Sequence, residues 1–163
     1  MSELRHAERL AGVHPSLAAF ARLVASRAAV DWCVVTGVRT LPGVLEKYAQ
    51  GRTTPGPHAG EPGYPPLGLT ITNVRTLEGA PHAERMTPEG LYGCAMDMQF
   101  FLQGGSRLAG GDAPGEVLVY RWYGAAAETQ GLTWGGRFSK VDMAHVELKA
   151  WRTYPLPGAA AIS

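Results

Sequence analysis

No other stretch restricts the fold as tightly as Gly131 to Leu148, which reads Gly-Leu-Thr-Trp-Gly-Gly-Arg-Phe-Ser-Lys-Val-Asp-Met-Ala-His-Val-Glu-Leu. Gly131 follows a helical spacing of apolar residues and acts as a helix stop. The paired glycines after Trp134 turn the chain. Beyond them, alternation puts His145 and Glu147 on one face of a strand and Val146 and Leu148 on the other. Asp142 and His145 stand three residues apart at the entrance to that strand. The pair can set a metal ligand beside a proton acceptor. Taken singly, Asp142 reads equally well as a turn residue and His145 as a hydrogen-bonded structural histidine.

Upstream, residues 1–11 read as a polar lead or frayed helix. Leu17, Phe20, Ala21, Val24 and Ala28 have helical spacing after Pro15, which suits a first turn. Val30 to Val35 is dense in strand formers, and a glycine turn at Gly37 closes it. A second helix is expected over Pro42–Gln50 with Gly51 as its stop, and a third over Glu116–Gln130. Further strands are expected at Leu67–Asn73, across Leu91–Leu102, and from His145 to Trp151. Gly51–Pro66 and Val74–Gly90 read as irregular, Gly104–Gly115 as a flexible excursion, and Pro155–Ser163 as a disordered tail. With 21 glycines and 12 prolines the chain breaks into short elements rather than a helical bundle. Strands and helices mix without regular β-α-β alternation, which favours a small α+β domain around an antiparallel sheet with flanking helices.

A chain of 163 residues can bury one core without disulfides. Cys33 and Cys94, each in an apolar or small-residue setting, read as buried free thiols. A net charge of +1 leaves no electrostatic footprint for nucleic acid or an anionic membrane. The start, Met-Ser-Glu-Leu-Arg-His, has no apolar core of a secretory signal, and no run is long enough to span a bilayer. A soluble, monomeric product made in the cytoplasm is the expectation.

Asp97 is a carboxylate within the apolar run Gly93–Phe101. Such a group needs a cation or a set of donors when buried. A metal is one such cation and an arginine another. Five histidines, His6, His14, His58, His82 and His145, are available as further ligands.

Several segments, taken in order, resemble the zinc peptidases of the D-alanyl-D-alanine metallopeptidase and L-alanyl-D-glutamate endopeptidase type, which include many phage endolysins. They are Leu10–Leu17; Val35-Thr36-Gly37-Val38-Arg39-Thr40; Tyr48-Ala49-Gln50-Gly51-Arg52-Thr53-Thr54-Pro55-Gly56; Thr70–Asn73; Gly93-Cys94-Ala95-Met96-Asp97; and Gly131–Leu148. The resemblance spans residues 10–150. It implies a Hedgehog/DD-peptidase-like fold, with a zinc peptidase domain over residues 10–154 between a lead at 1–9 and a flexible tail at 155–163. It also implies zinc ligands His82, Asp97 and His145, Asp142 as general base, Arg39 as a catalytic and substrate-binding cation, and Trp134 as a substrate contact. The implied substrate is a peptidoglycan stem peptide, cut at the L-alanyl-D-glutamate bond during lysis of a bacterial wall. D-Ala-D-Ala carboxypeptidase activity is the near alternative.

One spacing departs from the family pattern. Its first metal histidine lies seven positions before the aspartate, where this chain has Gly90; His82 lies fifteen before Asp97. An insertion within Ala83–Gly90 retains His82 as a ligand, since a longer surface loop costs little closure entropy. His58 is the reserve candidate. With neither histidine at the metal, the chain would be a non-catalytic wall-binding or virion structural relative.

Overall fold

Alternation along one strand divides the molecule into a packed side and a working side. The computed structural model describes residues 3–72, 74, 76–102 and 108–157. Its main sheet comprises β1 (Leu4–Arg5), β2 (Trp32–Thr36), β5 (Ala95–Phe100), β6 (Leu132–Trp134) and β7 (His145–Leu148) in the order β1-β2-β5-β7-β6. Along β5, Met96, Met98 and Phe100 are buried on one face, while Ala95, Asp97 and Gln99 alternate onto the other. Helices α1 (Pro15–Arg27) and α3 (Pro114–Thr129) cover the first face. Trp32 stacks on Tyr123 with ring centroids 4.9 Å apart, and Phe20 and Phe100 close around them. Each fully buried ring of this kind contributes about 1.5–3 kcal/mol.

α1 begins where the sequence places it. The His14 side chain accepts the Ser16 amide at 3.2 Å as an N-cap, and Pro15 opens the first turn. α2 (Leu41–Ala49) buries Val44 against Ala80 and Ala83.

Several expectations need correction. Residues 4–10 are not a frayed helix: β1 pairs parallel with β2, so the sheet is not wholly antiparallel, and Ala7–Leu10 forms a short 3-10 turn. The described part of Leu67–Asn73 has no strand pairing; Asn73 lies outside the described residues. Gly56 and Leu69 amides instead bond the carbonyls of Leu67 and Pro57 within the loop. Leu91–Leu102 is divided between two sheets. β3 (Glu84–Thr87) and β4 (Gly90–Gly93) form a separate hairpin, and β5 starts after Cys94. The last strand stops at Leu148, and Trp151–Thr153 is a 3-10 turn. The tail is held at its start, where the Met86 amide bonds the Pro155 carbonyl and Leu156 packs against the Val44 cluster. Residues 158–163, and residues 104–107 of the excursion, lie outside the described residues.

Candidate metal centre

The register between β5 and β7 sets Asp97 directly opposite His145 on the working face. Their side chains meet there, with His145 Nδ1 at 3.0 Å from Asp97 Oδ1. On the other side of β5, Thr36 faces Asp97 after a register shift within β2, and such a bulge bends the chain. The exit of β2 then passes Gly37 and Arg39 beneath His82. The Gly37 carbonyl accepts from His82 Nδ1 at 2.8 Å, and the Arg39 amide bonds the His82 carbonyl at 2.9 Å. With Nδ1 so occupied, His82 Nε2 faces Asp97 Oδ1 at 3.4 Å.

His82, Asp97 and His145 thus form a group whose ligand atoms all lie within 4.8 Å of one another. Two donors bound to one tetrahedral zinc at about 2.0–2.1 Å are roughly 3.3 Å apart. The separations of the two histidine nitrogens from Asp97 Oδ1, 3.0 and 3.4 Å, are close to that spacing. The donor set, two imidazoles and a carboxylate, also suits zinc and leaves a fourth position for water or substrate. The wide sequence gap between His82 and Asp97 contains the β3–β4 hairpin, which leaves the main sheet and returns. His58 is elsewhere, exposed on its loop and stacked on Tyr64 at 4.3 Å.

The group lies in a cleft of about 790 Å³ whose walls include Arg39, Asp142, Lys140 and Arg152. Asp142 is reachable by solvent along the open side. Partial desolvation nonetheless pushes its carboxyl above the ordinary value, and the charge of Asp97 adds to the shift. Burial alone would raise Asp97 as well, but the two histidines hold it well below the usual carboxylate range. For His145, burial works against the cation, yet hydrogen bonds to Asp97 and Glu147 push its pKa up to about 10. Arg39 Nη2 stands 3.8 Å from Asp97 Oδ2, too far for a tight pair. Its remaining donors are available to a ligand.

Trp134 is placed differently from its expected role. It is 4% exposed, belongs to the core, and donates its indole N–H to the Met143 carbonyl at 2.9 Å. Gly124 and Gly136 press against its ring so closely that a Cβ at either would overlap it. The indole therefore supports the loop carrying Asp142 and lines no part of the cleft. Glu147 was given no role by the sequence, although its position beside His145 was evident. It accepts from His145 Nε2 at 3.0 Å and lines the cleft.

Fold and site together define a small α+β domain with a candidate His–Asp–His metal centre in an open cleft. The fold resembles that of Serratia marcescens L-Ala D-Glu endopeptidase ChiX, with a TM-score of 0.57 and 21% sequence identity over 90% of this chain and 87% of that one. No protein-family model matches the chain, and no curated protein matches it in sequence.

Proposed function

We propose that the protein is a zinc-dependent peptidase that cuts peptidoglycan stem peptides at the L-alanyl-D-glutamate bond and so degrades bacterial cell wall. The observation that carries this reading is the convergence of His82, Asp97 and His145 in a cleft that also presents Asp142 and Arg39. The fold likeness to an L-Ala D-Glu endopeptidase supports it and favours this linkage over D-Ala-D-Ala. Three cations, Arg39, Lys140 and Arg152, face the same cleft, and a peptide containing D-glutamate brings carboxylates to meet them.

His82, Asp97 and His145 would hold the metal, which when bound would supply Lewis acidity toward the scissile carbonyl and lower the pKa of a water to near neutral. Asp142 takes the proton from the attacking water and passes it to the leaving amine. Arg39 donates toward the carbonyl oxygen as negative charge develops there. Asp97 keeps Arg39 close without a tight ion pair that would hide its donors.

The test is to incubate the zinc-loaded protein with purified peptidoglycan and analyse the released muropeptides by mass spectrometry. New ends at L-alanine and D-glutamate are expected, and a chelator should abolish them. Release of terminal D-alanine alone would assign the carboxypeptidase reaction instead. A folded, metal-saturated sample that releases nothing refutes catalysis and leaves the non-catalytic wall-binding reading.

A further inference from the structure

We infer that Glu147 is a positioning residue for the metal centre: it fixes the His145 ring so that Nδ1, and not Nε2, is the nitrogen presented to the ion. The inference rests on the reading of His82, Asp97 and His145 as ligands, and it assigns a role to Glu147, a residue to which the family resemblance gives none.

Glu147 lies two residues after His145 on the same face of β7. Its side chain is 9% exposed, and Oε2 stands 3.0 Å from His145 Nε2. A carboxylate buried to that degree needs a donor. The residues directly opposite it on the neighbouring strands are Ala95 and Thr133, neither of which can supply a charge. His145 is the hydrogen-bond partner that the structure gives it. When Nδ1 gives its lone pair to an ion, the one ring proton left is on Nε2, where Glu147 Oε2 stands 3.0 Å away to accept it. A neutral imidazole with that proton carries its lone pair on Nδ1. Nδ1 is the atom that faces Asp97 Oδ1 at 3.0 Å.

His82 uses the same logic with the nitrogens exchanged. The Gly37 carbonyl engages Nδ1 and leaves Nε2 to face the cluster. The two histidines therefore present opposite nitrogens, each selected by what holds the other nitrogen. The two holders differ in strength. A backbone carbonyl only orients the ring, whereas a carboxylate also raises the basicity of the imidazole it holds and makes it a better ligand. Glu147 thus does for His145 what the backbone does for His82, with added charge.

The test uses the full chain with Glu147→Ala, Glu147→Gln and Glu147→Asp. Zinc affinity is measured by competition with a chromophoric chelator, and the His145 nitrogens are followed by 15N NMR in the zinc-loaded protein. Glu147→Ala should lose roughly 10–100-fold in zinc affinity. Glu147→Gln should keep most of it, because the amide oxygen still accepts from Nε2. The wild-type spectrum should show the proton on Nε2 and the metal on Nδ1, and the alanine variant should lose that single assignment. Should Glu147→Ala not fold, Glu147→Asp serves, since it keeps the charge but withdraws the oxygen by one carbon and should bind zinc more weakly. Affinity equal to wild type in a folded alanine or aspartate variant overturns the inference, as does a wild-type spectrum with the metal on Nε2. A wild-type protein that binds no zinc defeats the ligand assignment itself and is distinguishable from both.

Discussion

Asp142 is held under strain by its surroundings, and that strain is measurable without substrate. Desolvation and the nearby Asp97 charge raise its folded-state pKa above the ordinary carboxylate value. Folding therefore favours the protonated form. The penalty on the ionised form is present above the folded pKa and disappears as pH falls through it. Asp142→Asn should make the metal-free protein more stable at pH 7, by a small amount because the cleft admits water. The gap should close on acidification, as measured by chemical denaturation at pH 7 and near pH 4. The same variant, loaded with zinc, should lose about 10²–10⁴-fold in peptidase activity through loss of the proton carrier. A variant that is inactive yet less stable at neutral pH would place Asp142 in the fold rather than in the chemistry.

Between element and site the important segment is Met143–Ala144, which sets both Asp142 and His145. Two core side chains hold it: Trp134 donates to the Met143 carbonyl, and Tyr123 from α3 donates to the Ala144 carbonyl at 3.2 Å. Tyr123→Phe removes one bond without changing the ring, and should cost about 1 kcal/mol. In thermal unfolding of a chain this size that is a Tm loss of about 2–4 °C. Trp134→Phe should cost more, since it leaves both an unpaired carbonyl and empty space beside Gly124 and Gly136. If Trp134 instead contacted substrate, its replacement would raise KM and leave Tm unchanged. The segment also shows where sequence reading succeeds. The alternation at His145–Leu148 and around Asp97 gave the correct faces, because both strands pack one side against α1 and α3. It failed at Leu67–Asn73, where apolar residues alternate but Leu69 and Ile71 stay exposed, so the half-buried surface that strand propensity reflects is missing. The hairpin of β3 and β4 was hidden for the opposite reason. The buried residues of β3 are Arg85 and Thr87, and Arg85 is a charge buried by bonds to the carbonyls of Leu77, Glu78 and Tyr154. No hydrophobic pattern reveals such a residue, nor could the sequence show that this hairpin bridges the His82-to-Asp97 gap.

At the scale of the whole molecule, the ligand group gathers the segment at His82, the centre of β5 and the start of β7, so an ion held there couples three separate parts of the chain. In the metal-free protein His145 is held between Asp97 and Glu147, and with its pKa pushed up to about 10 it is protonated at pH 7. Its folded value lies above the unfolded one, so this contribution to stability is complete below the unfolded pKa and is lost only as pH rises through about 10. On the proposed ligand assignment, zinc would replace the proton on the nitrogen facing Asp97. Binding should release about one proton at neutral pH, and zinc affinity should rise roughly tenfold per pH unit between pH 5.5 and 7.5. Calorimetry in buffers of different ionisation enthalpy measures the proton directly. If zinc binds only the folded chain at this group, it should raise Tm by an amount equivalent to about 2.7 kcal/mol when free zinc is a hundredfold above Kd. At one fixed zinc concentration the rise should be larger at pH 7.5 than at pH 6, and a chelator should reverse it. A thermal shift that is present but independent of pH would mean that zinc binds without displacing the His145 proton, at some other group of donors.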